Sequence, residues 1–205
     1  MVDTYALYRR LASYPQGRQL FSLVFEQAAP YFRTSRPRFV ELRPNYAELT
    51  IAKRRRVQNH LGTVHVIAIC NGLEAAMGAL AEATVPAGRR WIPKGMAVDY
   101  TARATSDITC IAETDAGLWA SGEAEVTVRV RAVREDGATV VAGTIRLHVT
   151  DRPTSPGLAQ GRQPGRPGAV SRWVGQSGEP TRLARSPATC CSVQPCACNQ
   201  PTDPP

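Results

Sequence analysis

The residues whose types and spacing could do chemistry lie in one stretch. Asn59-His60-Leu61-Gly62-Thr63-Val64-His65 is followed nine residues later by Glu74, a carboxylate in an otherwise apolar run. A carboxylate can take a proton from water or attack directly. A histidine loop leading into a helix start can stabilise negative charge on a carbonyl oxygen, because the first amides of a helix lack partners. Together they suit attack on an activated carbonyl. Burial among apolar neighbours disfavours the charged form of Glu74 and makes it a better base. An ideal helix turns about 900° over nine residues, which puts positions 65 and 74 on opposite sides. His65 must therefore sit in a loop, or the site must be completed by a second subunit.

Two further groups are candidates. Lys53-Arg54-Arg55-Arg56 could hold phosphates or form a solvated charge run. Four of the six cysteines fall at 190, 191, 196 and 198, without the paired C-x2-C spacing of a zinc site and with no nearby histidine. No metal site is expected. Cys70 and Cys110, in apolar surroundings, are read as small core residues. His60 and His148 need no function: the first is a loop or packing residue, and the second falls on the polar face of a strand.

The elements that must position these groups are legible from periodicity. The segment 66–81 is apolar nearly all round, with Asn71 and Glu74 its strongly polar residues, so it predicts a helix surrounded by protein. Gly72 and Gly78 would let neighbouring backbone approach it. After it, residues alternate with period two around Met96–Ala104, Ala124–Ala132 and Val141–Val149, with a shorter strand at 107–114. These are antiparallel strands, the last two joined at Glu135-Asp136-Gly137. Upstream, 38–43 and 47–53 read as strands, and 3–14 and 17–29 as helices, the second carrying the apolar stripe Leu20, Phe21, Val24, Phe25 and Ala28. One long helix wrapped by a curved antiparallel sheet is an α+β architecture, the hotdog fold.

Composition divides the chain. Residues 151–205 hold 16 glycines and prolines in 55 positions, with five Leu or Val and no Ile or Phe. Such a segment cannot offset its ordering entropy and is expected to be disordered. The organisation is thus an N-terminal helical segment (1–35), a hotdog domain (36–150) and a tail (151–205). The formal charge of +8 is shared, with 19 basic and 14 acidic residues before position 151. A moderately basic body suits anionic ligands such as nucleotide phosphates; no nucleic-acid or membrane partner is expected. No stretch reaches about 18 apolar residues, and residues 1–10 show no signal pattern, so a cytoplasmic protein is expected.

The motif resembles the active-site segment of hotdog-fold acyl-CoA thioesterases, and it is most similar to the phenylacetate-pathway-type branch and its uncharacterised relatives. Trp91-Ile92-Pro93-Lys94-Gly95-Met96-Ala97-Val98-Asp99-Tyr100 resembles the strand after the central helix in that branch. The resemblance implies hydrolysis of an acyl-CoA with no cofactor beyond the coenzyme A of the substrate. It gives Glu74 the role of catalytic carboxylate, His65 that of loop histidine, and Asn59, with Gly62 and Thr63, that of holding water or the thioester. It also implies a homodimer or homotetramer in which the carboxylate of one protomer faces the histidine loop of another. The sequence departs from the family at His65-Val66-Ile67, where His-Gly-Gly is common, at Ala97, where some relatives place Ser or Thr, and at Glu74, where many use Asp. The crowding by Val66 and Ile67 motivates an alternative, a non-catalytic hotdog module binding an acyl chain or acyl thioester. A dehydratase-like reaction on the same scaffold is a third reading.

Overall fold

The computed structural model describes residues 3–119, 122 and 124–152. The segment beyond 152, with its expected disorder and its four cysteines, lies outside the described residues.

Helices α1 (Thr4–Ala12) and α2 (Gly17–Ala28) precede the hairpin β1 (Arg38–Arg43) and β2 (Tyr46–Ile51), the central helix α3 (Val66–Thr84), and strands β3 (Arg89–Tyr100), β4 (Ile108–Glu113), β5 (Glu125–Arg134) and β6 (Thr139–Asp151). All pairings are antiparallel, in one six-stranded sheet of order β1-β2-β4-β5-β6-β3. The fold is α+β, a hotdog with α3 packed along the sheet. Alternation in β5 matches its burial residue by residue: Val126, Val128, Val130 and Ala132 are buried, and Glu125, Thr127, Arg129 and Arg131 exposed.

Helix α3 is held by packing more than by propensity. Leu73, Ala76, Met77 and Leu80 are fully buried in one core with Leu49 and Ile51 of β2, Ile108 of β4 and Ile145 and Leu147 of β6. Each large apolar side chain so buried contributes about 1.5–3 kcal/mol. Gly72 allows the close approach: a Cβ there would lie 2.4 Å from Ile51 Cδ1 and 2.9 Å from Cys110 Sγ. Gly78 faces the Trp91 ring of β3, whose indole N–H donates to Glu82 Oε1 at 2.9 Å. Both glycines thus receive side chains rather than backbone. By length and mean hydropathy alone α3 is comparable to a membrane-crossing helix, but Asn71 and Glu74 interrupt its apolar run and much of it is buried inside the protein.

Three expectations are corrected. The inward face of α2 is Gly17, Phe21, Ser22 and Glu26, with Phe25 half-buried; Leu20, Val24 and Ala28 are exposed. The helix is rotated because Ser22 Oγ accepts the Phe39 amide of β1 at 2.9 Å, while Phe21 and Phe25 join Tyr8, Phe32 and Phe39 in an aromatic cluster. Strand β3 ends at Tyr100 rather than 104, and its alternation does not divide buried from wet. It lies at the sheet edge, so Ile92, Met96 and Tyr100 are exposed while Trp91 and Val98 are half-buried. Glu74, expected to be buried, is exposed.

Candidate functional site

The loop before α3 is built around Asn59. Gln58 and Val64 form an isolated antiparallel bridge, and the turn between them uses Gly62 at φ 73°, where a side chain would be strained. Asn59 Oδ1 accepts the amides of Leu61 (3.0 Å) and Thr63 (3.2 Å), and its Nδ2 donates to Thr63 Oγ1 at 2.9 Å. The side chains of Asn59 and Thr63 are therefore engaged inside their own loop. Neither lines the cleft beside His65, and Gly62 does not either. What these residues do is set the loop's shape and hold the start of α3.

His65 is the N-cap of α3. Its backbone N–H donates to Val57 O at 2.7 Å, and its Nδ1 accepts the Ile67 amide at 3.1 Å. One of the donors that the helix start would offer an oxyanion is thus taken by the histidine itself. A ring nitrogen that accepts carries no proton, so neutral His65 is protonated at Nε2 and presents a donor there. The imidazole is exposed, so the Nε2–H can meet a ligand.

A cleft of about 350 Å³ opens beside this ring, lined by Tyr31, Gln58, His65, Ile67, Ala68 and Asn71 among others. Asn71 was not singled out as a site residue from sequence. It is only 6% exposed, its Oδ1 accepts from Ser35 Oγ, and its Nδ2 finds no partner among the described residues. A buried amide donor without an acceptor is costly to keep. The residue lines the cleft beside His65, with this nitrogen buried in its wall. The signal was present in the sequence, since Asn71 and Glu74 are the two strongly polar groups in the apolar stretch.

Glu74 lies elsewhere. Ile67, Cys70 and Glu74, spaced three or four apart, lie on a side of α3 that is not fully covered within the protomer, with Ile67 and Glu74 exposed. The carboxylate does not line the cleft beside His65. One chain does not bring it to His65, nor does it supply the desolvation on which its basicity was argued. The thiols do not compete as nucleophiles: burial raises the pKa of both Cys70 and Cys110, away from thiolate. Among the described residues no group of three or more His, Cys, Asp or Glu could hold a metal ion.

Comparison with known proteins then adds the family. The family described as "Domain of unknown function (DUF4442)" matches residues 17–149. The chain belongs to the DUF4442 family. A crystal structure named genomics APC5556 is 40% identical to this DUF4442 chain, covering 74% of it and 100% of its own length with a TM-score of 0.65. A protein of unknown function from Pseudomonas aeruginosa, PA5026, described as a "Probable Thioesterase", is 22% identical over 68% of this chain and 97% of its own, with a TM-score of 0.58. A thioesterase family protein from Silicibacter pomeroyi is 18% identical over 64% and 96%, with a TM-score of 0.53. At those identities the last two likenesses concern the fold. No curated protein matches the chain.

Proposed function

We propose that this DUF4442 protein is a thioester hydrolase acting on acyl-CoA, with Glu74 as general base or nucleophile and the His65 loop polarising the carbonyl. The observation that carries the reading is the cleft at the start of α3, lined by His65, whose Nδ1 accepts the Ile67 amide and leaves Nε2–H to donate, and by the buried Asn71. An N–H donor at the wall of a cleft is the kind of group that stabilises an oxyanion. The hotdog fold and the thioesterase names of two fold neighbours support the same chemistry. Asn59, Gly62 and Thr63 act by positioning His65.

The separation of Glu74 from His65 within one chain supports a homodimer or homotetramer as the working unit. The uncovered side of α3 would face the histidine loop of a second copy, burying Glu74 on assembly. Strand β3 is an edge strand with exposed Ile92, Met96 and Tyr100, which pairing with a second copy would cover.

The first test is thiol release from a panel of aliphatic and aromatic acyl-CoAs. Turnover of at least one supports the reading. Saturable acyl-CoA binding with no release across the panel favours the non-catalytic module, for which Ile67 speaks: it lines the cleft, is 56% exposed and stands where relatives have glycine. For the amide, Asn71→Leu keeps the bulk and removes both the Nδ2 donor and the oxygen to which Ser35 Oγ donates. Turnover should fall by roughly 10²–10³-fold, as for loss of an oxyanion donor, with the melting temperature measured alongside. A folded Asn71→Leu protein of normal turnover would remove Asn71 from the site.

A further inference from the structure

A second, larger cleft of about 690 Å³ lies between α2, the turn Pro30–Thr34 and the start of β1. Five arginines line it, Arg33, Arg36, Arg38, Arg54 and Arg56, against one carboxylate, Glu26. None of the five forms an ion pair among the described residues. Arg54 is the inner member. Its Nη2 donates to Ser35 O at 2.9 Å, and its buried Nε has no partner among the described residues. Burial first, and then the charges of Arg36 and Arg38, hold its pKa below the ordinary arginine value. Arg36 is kept at φ 51°, a left-handed conformation that costs a side-chain-bearing residue and that Gly or Asn adopts more cheaply. Folding thus gathers like charges, one of them partly desolvated, into a concave surface with too little negative charge to balance them.

We propose that this arginine cleft is a binding site for a phosphate-bearing anion. Guanidinium forks match phosphate oxygens two at a time, which a lysine cluster would not do. The volume suits a nucleotide-sized ligand rather than a single small anion. A carboxylate ligand would leave most of the charge uncompensated, whereas several phosphates would neutralise it. The site is also joined to the cleft of His65. Thr34 and Arg56 line both, and Ser35 holds Arg54 through its carbonyl and Asn71 through its hydroxyl. Two sources share this chemistry: the phosphorylated end of the thioester's own carrier, which rests on the hydrolase reading above, and a free nucleotide phosphate, which does not.

The test begins with adenosine 3′,5′-bisphosphate titrated into the full-length protein by calorimetry. Saturable binding is expected, weakened at least about tenfold for each of Arg36→Ala and Arg38→Ala. Both are exposed at the cleft's rim, so their loss should not cost the fold as Arg54→Ala could. Arg55→Ala, in the same basic run but outside the lining, should bind as the wild type does. No saturable binding, or an equal loss in Arg55→Ala, would overturn the site. The source is read from the ratio of kcat/KM for an acyl-CoA to that for the same acyl group on pantetheine, which lacks the phosphates. A fall in that ratio in Arg36→Ala and Arg38→Ala, through KM, assigns the cleft to the carrier. An unchanged ratio with bisphosphate binding lost assigns it to a free nucleotide. If no thioester is hydrolysed at all, the hydrolase reading fails while the titration still decides the cleft.

Discussion

Glu74→Gln is expected to keep the fold and to lower thioester hydrolysis by roughly 10²–10⁴-fold, the range for losing general-base assistance. The structure makes this substitution informative. Glu74 is exposed in the protomer and makes no hydrogen bond among the described residues that would be broken, so the change should alter folding stability by no more than about 0.5 kcal/mol. The amide is nearly isosteric and loses only the ionisable group, so acyl-CoA binding should be largely retained. A purely structural carboxylate behaves differently. If Glu74 were buried and hydrogen-bonded in an assembly without taking part in chemistry, the amide would cost roughly 1–3 kcal/mol, and activity would fall only in step with folded protein. Turnover and melting temperature measured on this one variant separate the cases. Near-normal turnover by a well-folded Glu74→Gln protein would remove Glu74 from the mechanism.

Much of the fold is legible in the sequence because period-two alternation and burial coincide wherever a strand has one packed face. Strands β5 and β6 are such cases, each with neighbours on both sides. Strand β3 alternates as convincingly at Met96, Val98 and Tyr100, yet it has a partner only in β6, and two of the three side chains are exposed. Alternation reports two chemically distinct faces; whether anything covers the apolar one depends on the position in the sheet. Helix α2 shows the converse. An apolar stripe through Leu20 and Val24 lost to a face carrying Ser22 and Glu26, because the Phe39 amide of β1 needed an acceptor and the phenylalanines had a cluster to join. Neither need is visible within the helix itself.

The candidate site divides in the same way. His65 and its loop were found because a local motif makes a local structure: the turn at Gly62, the Asn59 bracing and the cap on α3 all fall within nine residues. Asn71 was passed over because its meaning comes from Ser35, thirty-six positions away, which takes its oxygen and leaves its buried nitrogen without a partner among the described residues. The expected burial of Glu74 failed for a related reason. An apolar helix reads as wrapped on every side, but a single protomer's sheet leaves the side with Ile67 and Glu74 open. The basic run at 53–56 was visible as charge alone. Lys53 turns its Nζ to Thr105 O, Arg55 lies outside the lining, and Arg54 and Arg56 join arginines from the approach to β1.

A site shared between two copies is the central claim, and complementation measures it directly. His65→Ala and Glu74→Ala proteins should each be inactive towards acyl-CoA alone. Mixed in equal amounts and allowed to exchange subunits, they should recover about a quarter of wild-type thiol release, because statistical reassortment makes roughly half the dimers mixed and each of those carries one intact site. Sedimentation of the mixture checks that assembly has occurred. Recovery near that level is the predicted result. No recovery in a mixture shown to contain mixed dimers, or full activity in a stable monomer of the unmodified protein, would contradict the account.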